Sequence, residues 1–149
     1  MSQELHFRAI GPEHSDRIIE LVSLLNSSVP RDVLRRRLGK QWGFQGYYLF
    51  GLFRGERLIG VASVWISLRL YGGTLAELDN VIVDPEERGG TGKVFLDHLI
   101  AFCRAEGCRR VELKSYTGNR RSHKFYLNNG FEIYAFYFVN QIHGGDGEG

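Results

Sequence analysis

The run Val83-Asp84-Pro85-Glu86-Glu87-Arg88-Gly89-Gly90-Thr91-Gly92-Lys93 decides how the rest of the chain reads. It begins at the end of a β-branched, apolar stretch and is stopped by Asp84-Pro85. It then crosses a glycine cluster and enters a helical pattern. A strand–glycine–helix junction presents backbone N–H groups and the positive end of a helix dipole to whatever approaches it, which makes it an anion site. Glycines let a phosphate come close to the backbone, and Arg88 and Lys93 add positive charge.

Two well-known phosphate loops do not fit. A Walker A loop needs a glycine five positions before Gly92 and Ser or Thr after Lys93, but Glu87 and Val94 stand there. The dinucleotide fingerprint G-x-G-x-x-G starts at Gly90 and Gly92 but meets Phe95 at its third glycine.

Upstream, 75–83 reads as a strand, and 58–70 is a longer run of β-formers joined to it by Gly72-Gly73. Residues 47–53 are apolar on both faces, as in a covered strand, and 54–57 is a turn by composition. A short alternating strand is predicted at 5–9. Ile18, Leu21, Val22 and Leu25 recur at helical spacing, which predicts an amphipathic helix over 14–25. Pro30 opens a second helix, with Val33, Leu34 and Leu38 on one side and Arg31, Arg35, Arg36 and Arg37 on the other.

Downstream, 91–106 is helical, with Val94, Leu96, Leu99, Ile100 and Cys103 expected inward and Gly107 as its stop. A strand over 108–116, a helix over 120–129 closed by Gly130, and a strand over 131–142 complete the chain. The order predicts an α/β domain with a mixed central β-sheet flanked by helices. It also predicts one domain over 1–142 and a flexible glycine- and acid-rich tail over 143–149.

A second motif lies about 30 residues beyond the first: Asn119-Arg120-Arg121-Ser122-His123-Lys124-Phe125-Tyr126-Leu127-Asn128-Asn129-Gly130-Phe131. It resembles the GNAT acetyltransferase pattern Asn-x-x-Ala-x-x-Phe-Tyr-x-x-x-Gly-Phe, with Ser122 for the alanine. The glycine loop resembles the same superfamily's pyrophosphate loop, Arg/Gln-x-x-Gly-x-Gly/Ala after Val-x-Pro. One departure stands out: Glu87, not Arg88, occupies the Arg/Gln position. The motifs cover residues 75–131, and the preceding element order agrees with the family.

The resemblance implies a GNAT acyltransferase fold and an acetyl-CoA-dependent N-acetyltransferase in which an amine attacks the thioester directly. It places the pantetheine arm beside Val81, Ile82 and Val83, the pyrophosphate on Arg88, Gly89, Gly90, Thr91, Gly92 and Lys93, and a cofactor contact on Asn119. Glu77 is the first candidate for general base, with Asp79, on the same face of the strand, as the alternative. Tyr126 stands where a proton donor to the departing thiolate is expected. A non-catalytic acyl-CoA-binding module and the use of another acyl donor are the competing readings. The family also contains many dimers, and a homodimer built on the aromatic last strand, with Tyr134, Phe136 and Phe138, is one reading of that segment; burial in the core is the other.

Composition narrows the alternatives. A net charge of +2 is too small to argue for nucleic-acid binding. No apolar run reaches the roughly 18 residues of a membrane span. Two cysteines, Cys103 and Cys108, do not make a disulfide framework, and the five histidines are scattered, so no metal is expected. These features predict a cytoplasmic protein, and the resemblance implies a small-molecule or peptide amine as acceptor with acetyl-CoA as co-substrate. Trp42, Phe44, Tyr47 and Tyr48 are read as lining either the acceptor pocket or the core. The basic run beside them is read as a solvated helix face, with an acidic or phosphorylated acceptor as its functional alternative.

Overall fold

The structure, a computed structural model, describes residues 4–87 and 89–143. Its strands are β1 (Leu5–Ala9), β2 (Tyr47–Arg54), β3 (Arg57–Arg69), β4 (Gly73–Val83) and β5 (Arg110–Leu113). Its α-helices are α1 (Ser15–Val22), α2 (Arg31–Gln41), α3 (Thr91–Ala105) and α4 (Arg120–Asn128), and a 3-10 turn at Pro12–His14 precedes α1. The sheet order is β1-β2-β3-β4-β5. The first four strands pair antiparallel through short connections, and β5 pairs parallel to β4. A parallel neighbour needs a crossover, and α3 supplies it.

Strand alternation sends side chains to two covered faces. Phe50, Leu52, Ile59, Ala62, Val64, Ala76 and Leu78 meet Phe95, Leu96, Leu99 and Cys103 of α3. On the opposite face Leu49, Phe53, Leu58 and Val61 meet Ile18, Ile19 and Leu21 of α1 and Leu38 of α2. Each fully buried side chain of this size contributes roughly 1.5–3 kcal/mol through burial. Two covered faces explain why β2 and β3 are apolar almost throughout.

Polar ties fix α1 to the sheet. Arg17 donates through Nε to the Leu58 carbonyl at 2.9 Å and through Nη2 to Asp84 Oδ2 at 2.7 Å, and a third contact joins it to Glu20. Asp84, buried at the end of β4, also accepts from Arg57 at 3.0 Å and from the Glu86 N–H at 3.0 Å.

Three expectations need correction. The first helix runs only over Ser15–Val22, because its last predicted turn opens towards Asn26. In α3 it is Phe95 that is wholly buried, while Val94 is 37% exposed. The buried stripe runs through Thr91, Phe95, Leu99 and Cys103 at four-residue spacing, which turns Phe95 inward and leaves Val94 at its edge. Finally, residues 131–142 form no strand. Among the described residues no backbone–backbone hydrogen bond reaches past Phe131, whose N–H donates to the Tyr126 carbonyl at 3.0 Å. β-propensity does not make a strand without a neighbour to pair with. Residues 144–149 of the expected tail lie outside the described residues.

Candidate active site

A register shift in β4 organises the site. Val61 pairs with Ile82 but Ser63 pairs with Asp79, so β4 carries one more residue than β3 between those rungs. Such a bulge bends the strand and re-aims side chains. Asn80 absorbs it with φ of 49°, a left-handed conformation that asparagine tolerates better than most residues. Asn26, just beyond α1, donates from Nδ2 to Asn80 Oδ1 at 3.0 Å and to the Val22 carbonyl at 2.9 Å.

The bend coincides with an opening in the sheet. The β4–β5 pairing runs from Leu75↔Arg110 to Leu78↔Leu113 and then stops, while β4 continues to Val83. The backbone of Val81, Ile82 and Val83 therefore borders a cleft where β5 no longer follows. Side chains of Val81 and Val83 pack towards α3, so the edge left for a ligand is main chain.

The cleft leads to the start of α3. Gly89 and Gly90 adopt φ of 74° and 81°, and a Cβ built on either meets nothing within 4 Å among the described residues. The backbone is thus open on the approach to the helix. The Val94 N–H is bonded back to the Gly90 carbonyl at 3.2 Å, so the N–H groups of the first turn precede the helical ladder and point out of its end. Thr91 is buried, so it offers its backbone rather than its hydroxyl to the loop surface. Gly92 faces Phe125, where an added Cβ would sit 3.4 Å from the ring; small size here allows α3 and α4 to approach. Lys93 pairs with Asp97 at 2.9 Å on the exposed side of the helix. Arg88 lies outside the described residues.

Glu87, the departure from the loop pattern, does not face the anion site as a lone charge. Its Oε1 accepts from Arg54 Nη2 at 2.7 Å and Nε at 3.0 Å, and both side chains are largely shielded. An internal cation therefore neutralises the carboxylate that stands where the family pattern has Arg or Gln. Sequence reading had no way to see this pair, because its members are 33 residues apart.

On the α1–α2 side of the sheet, Glu77 and Asp79 share a face, as their two-residue spacing requires. Their settings differ. Glu77 Oε2 lies 3.0 Å from Lys114 Nζ. Among the described residues Asp79 makes no such ion pair at contact distance. Its surroundings push the carboxyl above the usual carboxylate range, through desolvation first and then the nearby Glu77, against donation from the Asn80 backbone and the Trp65 indole and the positive charge of Lys114. Water still reaches Asp79, which limits the rise.

Beside Asp79 lies a cavity of about 150 Å³ under α1 and α2. Ile18, Val22, Leu34 and Leu49 make its apolar wall, and Asn26, Arg37, Gln41, Tyr47, Ser63 and Asn80 bring polar groups to it. Tyr47 and Ser63 share a hydrogen bond of 3.2 Å, and burial raises the Tyr47 phenol. The aromatic cluster after α2 is thus divided. Tyr47 enters the cavity, Trp42 packs against the core, Phe44 is exposed against Trp65, and Tyr48 lies on the surface near Phe102. The arginine run is divided too: Arg37 lines the cavity, while Arg31, Arg35 and Arg36 are exposed.

Tyr126 sits on α4 between Phe125 and Phe131, with ring centroids 5.2 and 5.3 Å away. Burial raises its phenol, so it stays protonated at neutral pH. Asn119 caps α4, its Oδ1 accepting from the Ser122 N–H at 3.1 Å, which commits that oxygen and leaves the amide nitrogen as a donor. Cys103 is wholly buried and its thiol is pushed up to about 12, mainly by desolvation, which suits a core residue and not a nucleophile. No cluster of His, Cys, Asp and Glu able to hold a metal occurs among the described residues, and no described helix is long and apolar enough to cross a membrane.

A bent β4, a gap beside it and a glycine-led helix define an acyltransferase-type site on a mixed five-stranded sheet. The family model for the acetyltransferase (GNAT) family matches residues 18–131, and this chain belongs to that family. No curated protein sequence matches it. Solved structures agree in fold. An aminoglycoside N-acetyltransferase in complex with CoA is 19% identical, with a TM-score of 0.82, over 96% of this chain and 97% of that one. A Trypanosoma brucei acetyltransferase is 23% identical, with a TM-score of 0.75, over 93% and 100% of the two chains. Glucosamine-6-phosphate N-acetyltransferase from Arabidopsis thaliana is 20% identical, with a TM-score of 0.72, over 95% and 100%.

Proposed function

We propose that the protein is an N-acetyltransferase that moves the acetyl group of acetyl-CoA to a primary amine within a ternary complex. The observation that carries this reading is the juxtaposition at the β4 bulge. Asn80 and Ser63, the chain and register neighbours of Asp79, line a cavity on one side, and the unpaired edge of β4 leads to the start of α3 on the other. The main chain of Val81, Ile82 and Val83 would pair with the pantetheine amides as an added strand would. The N–H groups from Gly89 to Lys93 would receive the pyrophosphate, and the Asn119 amide would donate to the cofactor arm. Glycine-lined backbone, with the Glu87 carboxylate held by Arg54, fits that cargo.

In this reading the acceptor nitrogen, lying in the cavity beside Asp79, attacks the thioester carbonyl. A new C–N bond forms and the C–S bond breaks. At neutral pH only about one alkyl amine in 10³ is unprotonated, so a base is needed. We assign that role to Asp79, because Glu77 is engaged by Lys114 at 3.0 Å, whereas Asp79 stands next to the cavity residue Asn80 and its carboxyl is raised above the usual carboxylate range. The proton lost by nitrogen passes to Asp79, and Tyr126 donates one to the departing thiolate. Two solved relatives are named for aminosugar-type acceptors, and an amine on a polar scaffold suits the Asn26, Gln41 and Arg37 wall. Free cysteines and a CoA donor fit a cytoplasmic place of action.

The test pairs calorimetric titration of acetyl-CoA with a thiol-release assay over a panel of primary amines. Asp79→Asn is expected to leave acetyl-CoA affinity within a few-fold and lower kcat/KM by about 10²–10⁴, the usual contribution of a general base. The acid limb of the wild-type pH profile lies above the ordinary carboxylate range, since the base must be ionised and its carboxyl is raised; it disappears in Asp79→Asn and persists in Glu77→Gln. Wild-type protein that binds no acetyl-CoA, or an Asp79→Asn variant with unchanged turnover, would remove this proposal.

A further inference from the structure

Cys103 and Cys108 are the two cysteines of the chain, and the end of α3 brings them together. The helix closes with a nested pair of hydrogen bonds. The Cys108 N–H donates to the Cys103 carbonyl at 3.0 Å, and the Gly107 N–H donates to the Arg104 carbonyl at 3.1 Å. Gly107 has φ of 81°, the left-handed turn that this closure needs. The arrangement is a Schellman motif after the last helical residue, Ala105. Such a motif commonly sets a side chain in the last helical turn against the side chain that follows the glycine. Here both of those residues are cysteine.

The backbone bond also bounds the distance between them. With 3.0 Å between nitrogen and oxygen, standard backbone lengths keep the two Cα atoms within about 7 Å. Beyond roughly that span a disulfide needs the backbone to move. The two thiols are hydrogen-bond partners of one another. Both pack with the core beneath α3, but unequally. Cys103 is wholly buried, whereas Cys108 is partly exposed at the margin. The transfer reaction proposed above uses neither thiol.

We infer that Cys103 and Cys108 are a redox pair that closes to an intramolecular disulfide by exchange with a small-molecule disulfide such as oxidised glutathione. Exposure sets the order of attack. The Cys108 sulfur, as thiolate, attacks one sulfur of the reagent, forms a mixed disulfide and releases the first reduced thiol. The Cys103 sulfur then bonds to that of Cys108 and displaces the second, which takes up the Cys103 proton. The protein loses two hydrogens with their electrons, and the reagent gains them. Burial raises both thiols above their ordinary values, which keeps each protonated at neutral pH and slow towards reagents in solution. Contact makes the Cys103 step intramolecular, and there proximity takes the place of acidity. The closed ring staples the last turn of α3 to the approach of β5, one residue before the Arg109 N–H joins the sheet at the Thr74 carbonyl.

Intact mass after incubation with oxidised glutathione, acid quenching and alkylation under denaturing conditions gives the test. Wild-type protein is expected at the single-chain mass less two hydrogens, with no thiol left to alkylate. Dithiothreitol should restore both thiols. Cys103→Ala should stop at the mixed disulfide and carry one glutathione on Cys108. Cys108→Ala should keep its Cys103 thiol while folded and lose that protection in urea. A thermal melt before incubation shows that each variant is folded. A wild type that keeps both thiols, or that accumulates glutathione on Cys108 without closing the ring, would overturn the inference. So would disulfides that join two chains in place of the ring, or glutathione on Cys103 of a folded Cys108→Ala.

Discussion

Asn80→Ala should destabilise the protein and displace the site, while Asn80→Gly separates the two causes. Alanine at φ of 49° meets the left-handed penalty, roughly 1–2 kcal/mol, part of which asparagine escapes through its local hydrogen bonding. It also removes the acceptor of the 3.0 Å bond from Asn26, a part-buried interaction contributing about 0.5–1.5 kcal/mol. The combined loss is about 2–3 kcal/mol. For a chain of 149 residues each kcal/mol lowers Tm by about 2–4 °C, so Asn80→Ala should melt roughly 4–12 °C lower. Glycine adopts the same φ freely and loses only the side-chain bond, so Asn80→Gly should lie at most about half as far below wild type. Thermal and urea melts at neutral pH measure both. Equal loss in the two variants would show that the backbone conformation at the bulge is not the constraint, and no loss in Asn80→Ala would refute the reasoning altogether. Acetyl-CoA affinity should follow the same order, because the bulge sets where the free edge of β4 begins.

Three further outcomes follow from the same geometry. Gly90→Asp puts a carboxylate where the anion should bind; its Cβ meets open space but φ of 81° costs about 1–2 kcal/mol, so acetyl-CoA affinity should fall at least tenfold while Tm drops by roughly 2–8 °C, read by calorimetry and melting. Asp84 is held below the usual carboxylate range, first by the Glu86 N–H and then by Arg17. A depressed folded value adds stability above the unfolded value near 3.9 and loses it as pH falls through the folded one, so urea midpoints should drop between about pH 5 and 2, and less steeply in Asp84→Asn. Arg54→Met should remove the fork on Glu87 and weaken acetyl-CoA binding by a less compensated negative charge near the anion site, an effect that Glu87→Gln in the same chain should reverse in a competition titration.

Much of this was legible in the sequence because the signals are local. Pro30 and the Asp84-Pro85 stop mark element ends by chemistry that acts within a residue or two, and they fall at the observed boundaries. The spacing of Glu77 and Asp79 placed them on one face without knowledge of the fold. Val94 falls outside the buried stripe of α3 because that stripe runs through Phe95, Leu99 and Cys103 at four-residue spacing, with Leu96 beside it. What sequence could not hold was long-range pairing. The Arg54–Glu87 fork, the Arg17–Asp84 tie and the Asn26–Asn80 bond join residues 33, 67 and 54 positions apart. The choice between Glu77 and Asp79 likewise turns on Lys114, a residue with no motif of its own.

Segment 131–142 and the candidate site meet at that lysine. Lys114 holds Glu77 at 3.0 Å on one side and lies against the Tyr137 ring on the other. Glu77 in turn stands two residues from Asp79 and pushes its carboxyl up. Lys114→Met tests the connection without touching Asp79. It removes the cation that lowers the Asp79 carboxyl and leaves Glu77 uncompensated, and both changes raise it. The acid limb of the kcat/KM profile should therefore move to higher pH in Lys114→Met and return towards its wild-type position when Glu77→Gln is added. A limb that stays where it was in both variants would separate the two carboxylates electrically and remove Lys114 from any account of the site.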